Sequence, residues 1–300
     1  MKKILILFLL FISASAMAQQ NIQNTIKNAE NGDFKAQYNL ALAYHNGSQG
    51  LPKDTQKTIY WAEKSANQGC GQACNLLGII YIRGEGTEKD LTMAEKWLKK
   101  GVEKNDTYCK YTLGQLYVSN EMKRYENGLK LLIPLAENGD MYAMNDIGLA
   151  YNDLGQNDKA LEWLLKARYK GNETAILNLG NLYLKGINGF PIDYDKAASF
   201  YRLASESKDT YKAKIAKHNL PIAYFKLGDM LLHQKEFDDA VIYLMRAASN
   251  EDNPIPEAMR KLSACFRYGY GVEKDKTKEE YYLEEAAKFN DEIAMKILGL

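Results

Sequence analysis

The sequence predicts an all-α fold, a solenoid of stacked helix pairs, and three observations predict it. The signature small-x3-apolar-Gly-x2-aromatic, clearest in Ala73-x3-Leu77-Gly78-x2-Tyr81, returns seven times at spacings mostly in the thirties. A second signature follows each copy, as in Ala94-x2-Trp97-x3-Gly101. Between the two stands a turn such as Gly84-Glu85-Gly86, closed by Asp90. A fixed period of this length, sustained along the chain, means stacked helix pairs in which each pair buries its apolar side against its neighbours.

The first half of the unit is helix A. Its small residue, apolar residue and aromatic fall at i, i+4 and i+8, one side of a helix at about 100° per residue. The first positions are Ala36, Ala73, Cys109, Ala143, Ala175, Ala223 and Ala258. The glycine column reads Ala41, Gly78, Gly114, Gly148, Gly180, Gly228 and Ser263, and the aromatic column Tyr44, Tyr81, Tyr117, Tyr151, Tyr183, Leu231 and Phe266. In the turn, Gly84 and Gly86 supply positive φ, and Asp90 caps the next helix by accepting from an unpaired amide. That next helix, helix B, repeats its large column as Trp61, Trp97, Leu131, Trp163, Phe200, Tyr243 and Tyr282, which the pattern places in the core.

The units run 36–72, 73–108, 109–142, 143–174, 175–222, 223–257 and 258–293, with half repeats at 21–35 and 294–300. Repeat three is degenerate: it lacks the Gly-x-Gly turn and carries Pro134 inside helix B, where a lost helical bond predicts a kink or irregular packing. Between Ala175 and Ala223 the spacing exceeds a unit, and the excess, Ser207 to Pro221, reads as an extended helix B plus a loop, or as an insert that touches a partner. The closing Ile297-Leu298-Gly299-Leu300 lacks the polar outer face of a cap, and reads as packed on repeat seven or as a docking edge.

These residues resemble the Sel-one-like repeat, a relative of the tetratricopeptide repeat with a longer, glycine-bearing turn between helices A and B. That turn stands at Gly47 to Asp54, Gly84 to Asp90, Gly186 to Asp193 and Gly269 to Asp275. Repeats four and six, with short turns at Gly155–Asp158 and Gln234–Phe237, are closer to ordinary tetratricopeptide units. The resemblance implies a right-handed α-α solenoid superhelix whose A helices line the concave surface. It also implies a role as a protein- or peptide-binding scaffold without catalytic groups or cofactor.

On helix A the core positions one, five, six and nine span about 140°, so positions three, seven, ten and eleven point the other way. The peptide groove that the resemblance implies is therefore expected at Tyr38, Asn75, Tyr111, Asn145, Asn181, Phe225, Arg260 and Arg267. Amides bond an extended backbone, and aromatics supply contact area at low entropy cost.

Composition bounds the remaining chemistry. With 46% apolar and 26% charged residues, the 300-residue chain is ordinary for a folded domain. Met-Lys-Lys, the run ILILFLLFI and Ser13 to Ala18 supply the basic, apolar and small-residue segments of a secretory leader, with cleavage expected after Ala18. The mature product, residues 19–300, is expected to be periplasmic or secreted, with no membrane insertion. Loss of Lys2 and Lys3 leaves the remaining Lys and Arg almost matched to 38 acidic residues, so no field for nucleic acid arises. His45, His218 and His233 have no metal-ligand or catalytic spacing. Ser205-Glu-Ser-Lys208 matches the Ser-x-x-Lys of serine β-lactamases, but the companions Ser-Asp-Asn and Lys-Thr-Gly are missing.

Cysteine-rich relatives of this repeat, to which β-lactam hydrolysis has been ascribed, tie helix A to helix B by disulfides, and that regular pattern is absent here. A bridge among Cys70, Cys74 and Cys109 is geometrically open in an oxidising compartment, and Cys265 stands apart. The alternatives to a scaffold are thus a β-lactam-hydrolase-like enzyme and a cell-wall-associated structural protein. Turnover of nitrocefin and co-sedimentation with peptidoglycan separate them.

Overall fold

The computed structural model describes residues 19–300, and these form helices with no strand among them. Helix α1 covers residues 19–30. It is followed by α2 (Phe34–Asn46), α3 (Thr55–Asn67), α4 (Gly71–Arg83), α5 (Leu91–Glu103), α6 (Thr107–Val118), α7 (Tyr125–Glu137) and α8 (Met141–Asp153). Then come α9 (Asn157–Tyr169), α10 (Glu173–Lys185), α11 (Tyr194–Ser205), α12 (Thr210–Gln234), α13 (Phe237–Ala248), α14 (Pro256–Tyr268), α15 (Lys276–Lys288) and α16 (Glu292–Leu298). Even-numbered helices are A and odd-numbered helices are B. The expected leader and its cleavage site lie outside the described residues.

Two compact units divide the chain between Ala143 and Met144. In the first, α2 packs on α3, α4 on α5 and α6 on α7, while α3 meets α4, α5 meets α6 and α4 also touches α6. In the second, α10 packs on α11, α12 on α13 and α14 on α15, and neighbouring pairs meet in the same way. Each helix thus leans on its own partner and on the adjacent pair, the α-solenoid arrangement.

The turns follow the sequence. Gly84 and Gly86 adopt φ of 67° and 68°, and the Asp90 carboxylate accepts from the Met93 amide at 2.9 Å. Asp54, Asp193 and Asp275 close their own turns in the same way. The glycine column is where the two helices of a pair touch. A Cβ on Gly78, Gly114, Gly148 or Gly228 would fall against Leu98, Leu132, Leu164 or Leu244, and one on Gly180 against Tyr201.

Those B-helix residues correct the expected core column, because each follows the predicted large residue by one. Leu98, Leu132, Leu164, Tyr201 and Leu244 are fully buried, whereas Trp61, Leu131, Trp163, Phe200, Tyr243 and Tyr282 are half-buried. Trp97 alone of that column is buried, at 6% exposure. Apart from Tyr201, the glycine contacts are filled by leucine, and the rings of the predicted column lie at the rim. There they stack on the aromatic column, as Phe200 does on Tyr183 (5.8 Å) and Tyr282 on Phe266 (5.7 Å), and carry a cation on the outer face, as Trp163 does with Lys166 (4.4 Å).

Two further expectations change. The residues from Ser207 to Pro221 do not extend helix B. Helix α11 ends at Ser205, Asp209 caps a new helix by accepting from the Tyr211 and Lys212 amides, and α12 runs unbroken through Pro221 into helix A of repeat six. Pro221 is buried within α12, which continues past it to Gln234 despite the helical bond that its missing amide removes. Helix α7 likewise continues through Pro134 to Glu137, and the Asn138 amide returns to the Pro134 carbonyl at 3.2 Å.

Candidate functional site

Helix A is flanked by its neighbours as well as backed by helix B, and this narrows the face left open. Position three, at the edge of the expected groove, lies on the flank. Tyr38, Asn75 and Tyr111 are half-buried there, and Asn145 is 6% exposed. Asn145 donates to Asp146 Oδ1 at 3.2 Å and accepts from Asn178 Nδ2 at 2.8 Å, so its amide links α8 to α10 inside the second unit. Asn181 accepts from the Tyr201 hydroxyl at 2.7 Å. Arg260 Nε lies 3.0 Å from both carboxylate oxygens of Asp291, itself 8% exposed and the cap of α16. Phe225 packs half-buried against the last apolar cluster. Arg267 remains on the surface, over the Tyr268 ring at 5.6 Å and 3.6 Å from Glu279.

Two exposed tyrosines occupy the position just before the small residue. Tyr108 is 66% exposed and Tyr142 56%. The signal was present: one residue ahead of position one is 100° back, close to the centre of the open arc. In the first unit Tyr38 reaches toward this site from α2. Its phenol pKa is raised chiefly by burial, with Cys70, Asp106 and the Tyr108 phenol adding to the shift. On α6 Gln115 Nε2 donates to the Tyr111 hydroxyl at 2.9 Å, and on α4 Asn75 Oδ1 is buried with no donor. The A helices of the first unit thus carry Tyr38, Tyr108, Tyr111, Asn75 and Gln115, aromatics and amides.

The Ser205 hydroxyl donates to the Arg202 carbonyl at 2.7 Å, closing the end of α11. Among the described residues no group of three or more His, Cys, Asp or Glu side chains could hold a metal ion, and no helix is long and apolar enough to cross a membrane. Cys70, Cys74, Cys109 and Cys265 are all buried and unbridged. Burial pushes the Cys74 and Cys265 thiols up to about 11 and Cys109 higher still. Cys109 sits under Gly101 and donates to the Gly71 carbonyl at 3.3 Å, which makes it a small core residue.

Residues 34–70, 71–106, 142–172, 174–209 and 256–288 match the Sel1 repeat, together more than half of the chain. The chain belongs to the Sel1 repeat family. The two gaps between matches hold the degenerate repeat three and the extended α12 with repeat six. The Sel1-repeat-containing protein YjcO of Escherichia coli K12 is 30% identical over 209 residues, covering 68% of this chain and 76% of YjcO. An uncharacterized protein of Neisseria meningitidis serogroup B is 27% identical over 87% of this chain, which spans only 51% of that protein's length. The crystal structure of a Sel1 repeat protein from Oxalobacter formigenes superposes with a TM-score of 0.50 at 22% identity, over 95% of this chain and 81% of the other, a likeness of fold. Sel1 repeat proteins generally serve as protein-interaction scaffolds.

Proposed function

We propose that this Sel1 repeat chain is a non-enzymatic scaffold, exported to the periplasm or beyond, that holds a protein or peptide against its A helices. The observation that supports this most directly is the set of tyrosines and amides on the A helices of the first unit, among which Tyr108 is two-thirds exposed. Phenol rings give large contact area with few rotors to freeze, and amides match the donors and acceptors of an extended backbone. The secretory-type start of the sequence supports export.

A photo-crosslinking residue replacing Tyr108 tests the reading in the native host, with the same residue at Lys130 on helix B as control; the Lys130 side chain is 69% exposed. A discrete protein adduct from Tyr108 and none from Lys130 is the expected result. Equal adducts from both positions, or none from Tyr108, count against it. Intact mass of the mature chain from an osmotic-shock fraction, expected to begin at Gln19, tests export.

A further inference from the structure

The B side of the second unit carries an unusual groove. It lies between α9 and α11, encloses about 400 Å³, and is floored by Leu161, Leu165, Phe200 and Leu203 with Arg168 and Lys196 on its rim. Outward positions of helix B vary from repeat to repeat, with Ile133 and Met245 aligned to Leu165 in repeats three and six. Where repeat four has Leu165, repeats one and two have Glu63 and Lys99; where repeat five has Leu203, they have Lys64 and Lys100. The corresponding depression between α3 and α5, of about 870 Å³, is accordingly lined by Glu63, Glu95, Lys96, Lys99, Lys100 and Glu103. Leu165 and Leu203 are 38% and 37% exposed, leaving branched apolar side chains where repeats one and two carry ionic ones.

The floor is also rigid. Phe200 stacks on Tyr183 at 5.8 Å, and Tyr183 meets Phe190 edge-on at 5.0 Å. Arg168 lies over the Phe200 ring at 5.6 Å and Lys196 over Tyr183 at 5.2 Å, so both cations are held at the mouth of the groove. Lys196 additionally meets Asp193 at 3.0 Å, at the start of α11. No carboxylate lines the groove itself.

We infer that the α9–α11 groove is a second docking surface, for an amphipathic helix of a partner protein whose apolar stripe is flanked by carboxylates. Two parallel helices with leucines between them accept the i, i+3, i+4, i+7 ridge of a third helix, and the rim cations, Arg168 with Lys196 shared with Asp193, favour carboxylates on its flanks. This inference stands on helix B residues and does not depend on the A-face reading.

The test uses the full chain and two fluorescein-labelled helical peptides that share one leucine stripe and differ in having glutamate or lysine flanks, read by fluorescence anisotropy. The glutamate peptide is expected to bind in a salt-sensitive way and the lysine peptide to bind at least about tenfold more weakly. Leu165→Gln with Leu203→Gln is expected to weaken the glutamate peptide at least about tenfold, and Arg168→Gln with Lys196→Gln to erase the preference between flanks. No binding of the glutamate peptide, equal binding of both peptides, or unchanged binding by the leucine double variant would overturn the inference. So would a concentration-dependent dimer abolished by the leucine changes, which assigns the face to a second copy. Sedimentation with vesicles of equal phosphatidylcholine and phosphatidylglycerol, abolished by the same changes, assigns it to a lipid surface and likewise overturns the inference.

Discussion

Gly78 on α4 and Leu98 on α5 meet so closely that a methyl group on Gly78 would stand 2.6 Å from the Leu98 Cγ and Cδ2. Leu98 is fully buried and has nowhere to move. Replacing a mid-helix glycine by alanine normally gains about 0.5–1 kcal/mol of helix propensity. Here overpacking, typically 1–3 kcal/mol, outweighs that gain. Gly78→Ala is expected to lower the urea midpoint, and to do so much less in a Leu98→Ala background, where the methyl has room. An additive double-mutant cycle would show that the two residues do not share the contact.

Trp97 and Trp163 occupy the same column but not the same environment. Trp97 is 6% exposed and its Nε1 is buried without an acceptor, whereas Trp163 is half-buried under Lys166. Trp97→Ala is expected to destabilise by roughly 3–5 kcal/mol as a core truncation, and Trp163→Ala by clearly less. Equal losses in chemical denaturation would mean that the two rings are packed alike.

The contrast marks how far the sequence could be read. Period, turn glycines, the Asp90 cap and the A-helix core were legible because each depends on residues within one repeat. The residue of helix B that fills the glycine contact was misplaced by one, since Trp and Phe look more core-like than the Leu98 or Leu164 beside them. The Ser207–Pro221 segment was misread because a proline in sequence does not reveal whether the helix around it continues. The candidate groove was drawn too wide for a related reason: one repeat gives the angle of a side chain, while the contact of α4 with α6 that buries the flank belongs to two.

The thiols give a pH dependence of definite sign. An ordinary thiol titrates near 8.5; folding holds Cys74 and Cys265 up at about 11. Their raised values favour the protonated form in the folded state, so the unfolded chain binds fewer protons once pH exceeds the ordinary value. The stability they contribute is full below that pH and is lost progressively as pH rises toward about 11. Denaturation midpoints are expected to fall across this alkaline window, less steeply in Cys74→Ala with Cys265→Ala after comparison at neutral pH. At pH 8, roughly the ordinary thiol value, a thiol reagent is expected to label the native protein slowly and the denatured protein at all four cysteines. Rapid native labelling would show that the thiols are not held inside.

Asn75 and Asn145 stand at position three of helix A in repeats two and four and lead to opposite expectations. The Asn145 amide is shared with Asn178 and Asp146, so Asn145→Leu strands the Asn178 Nδ2 donor and is expected to destabilise by about 1–3 kcal/mol. The Asn75 Oδ1 acceptor is buried with no donor, so Asn75→Leu removes an unmet group and is expected to raise the melting temperature. An acceptor kept unpaired at the same helix A position as Tyr38 and Tyr111 is a local loss of stability of the kind associated with binding surfaces. Asn75→Leu is accordingly expected to reduce the Tyr108 crosslink while the protein becomes more stable. If Asn75→Leu destabilises the fold, the acceptor is satisfied in solution; if it stabilises the fold and leaves crosslinking untouched, Asn75 is no part of the binding surface.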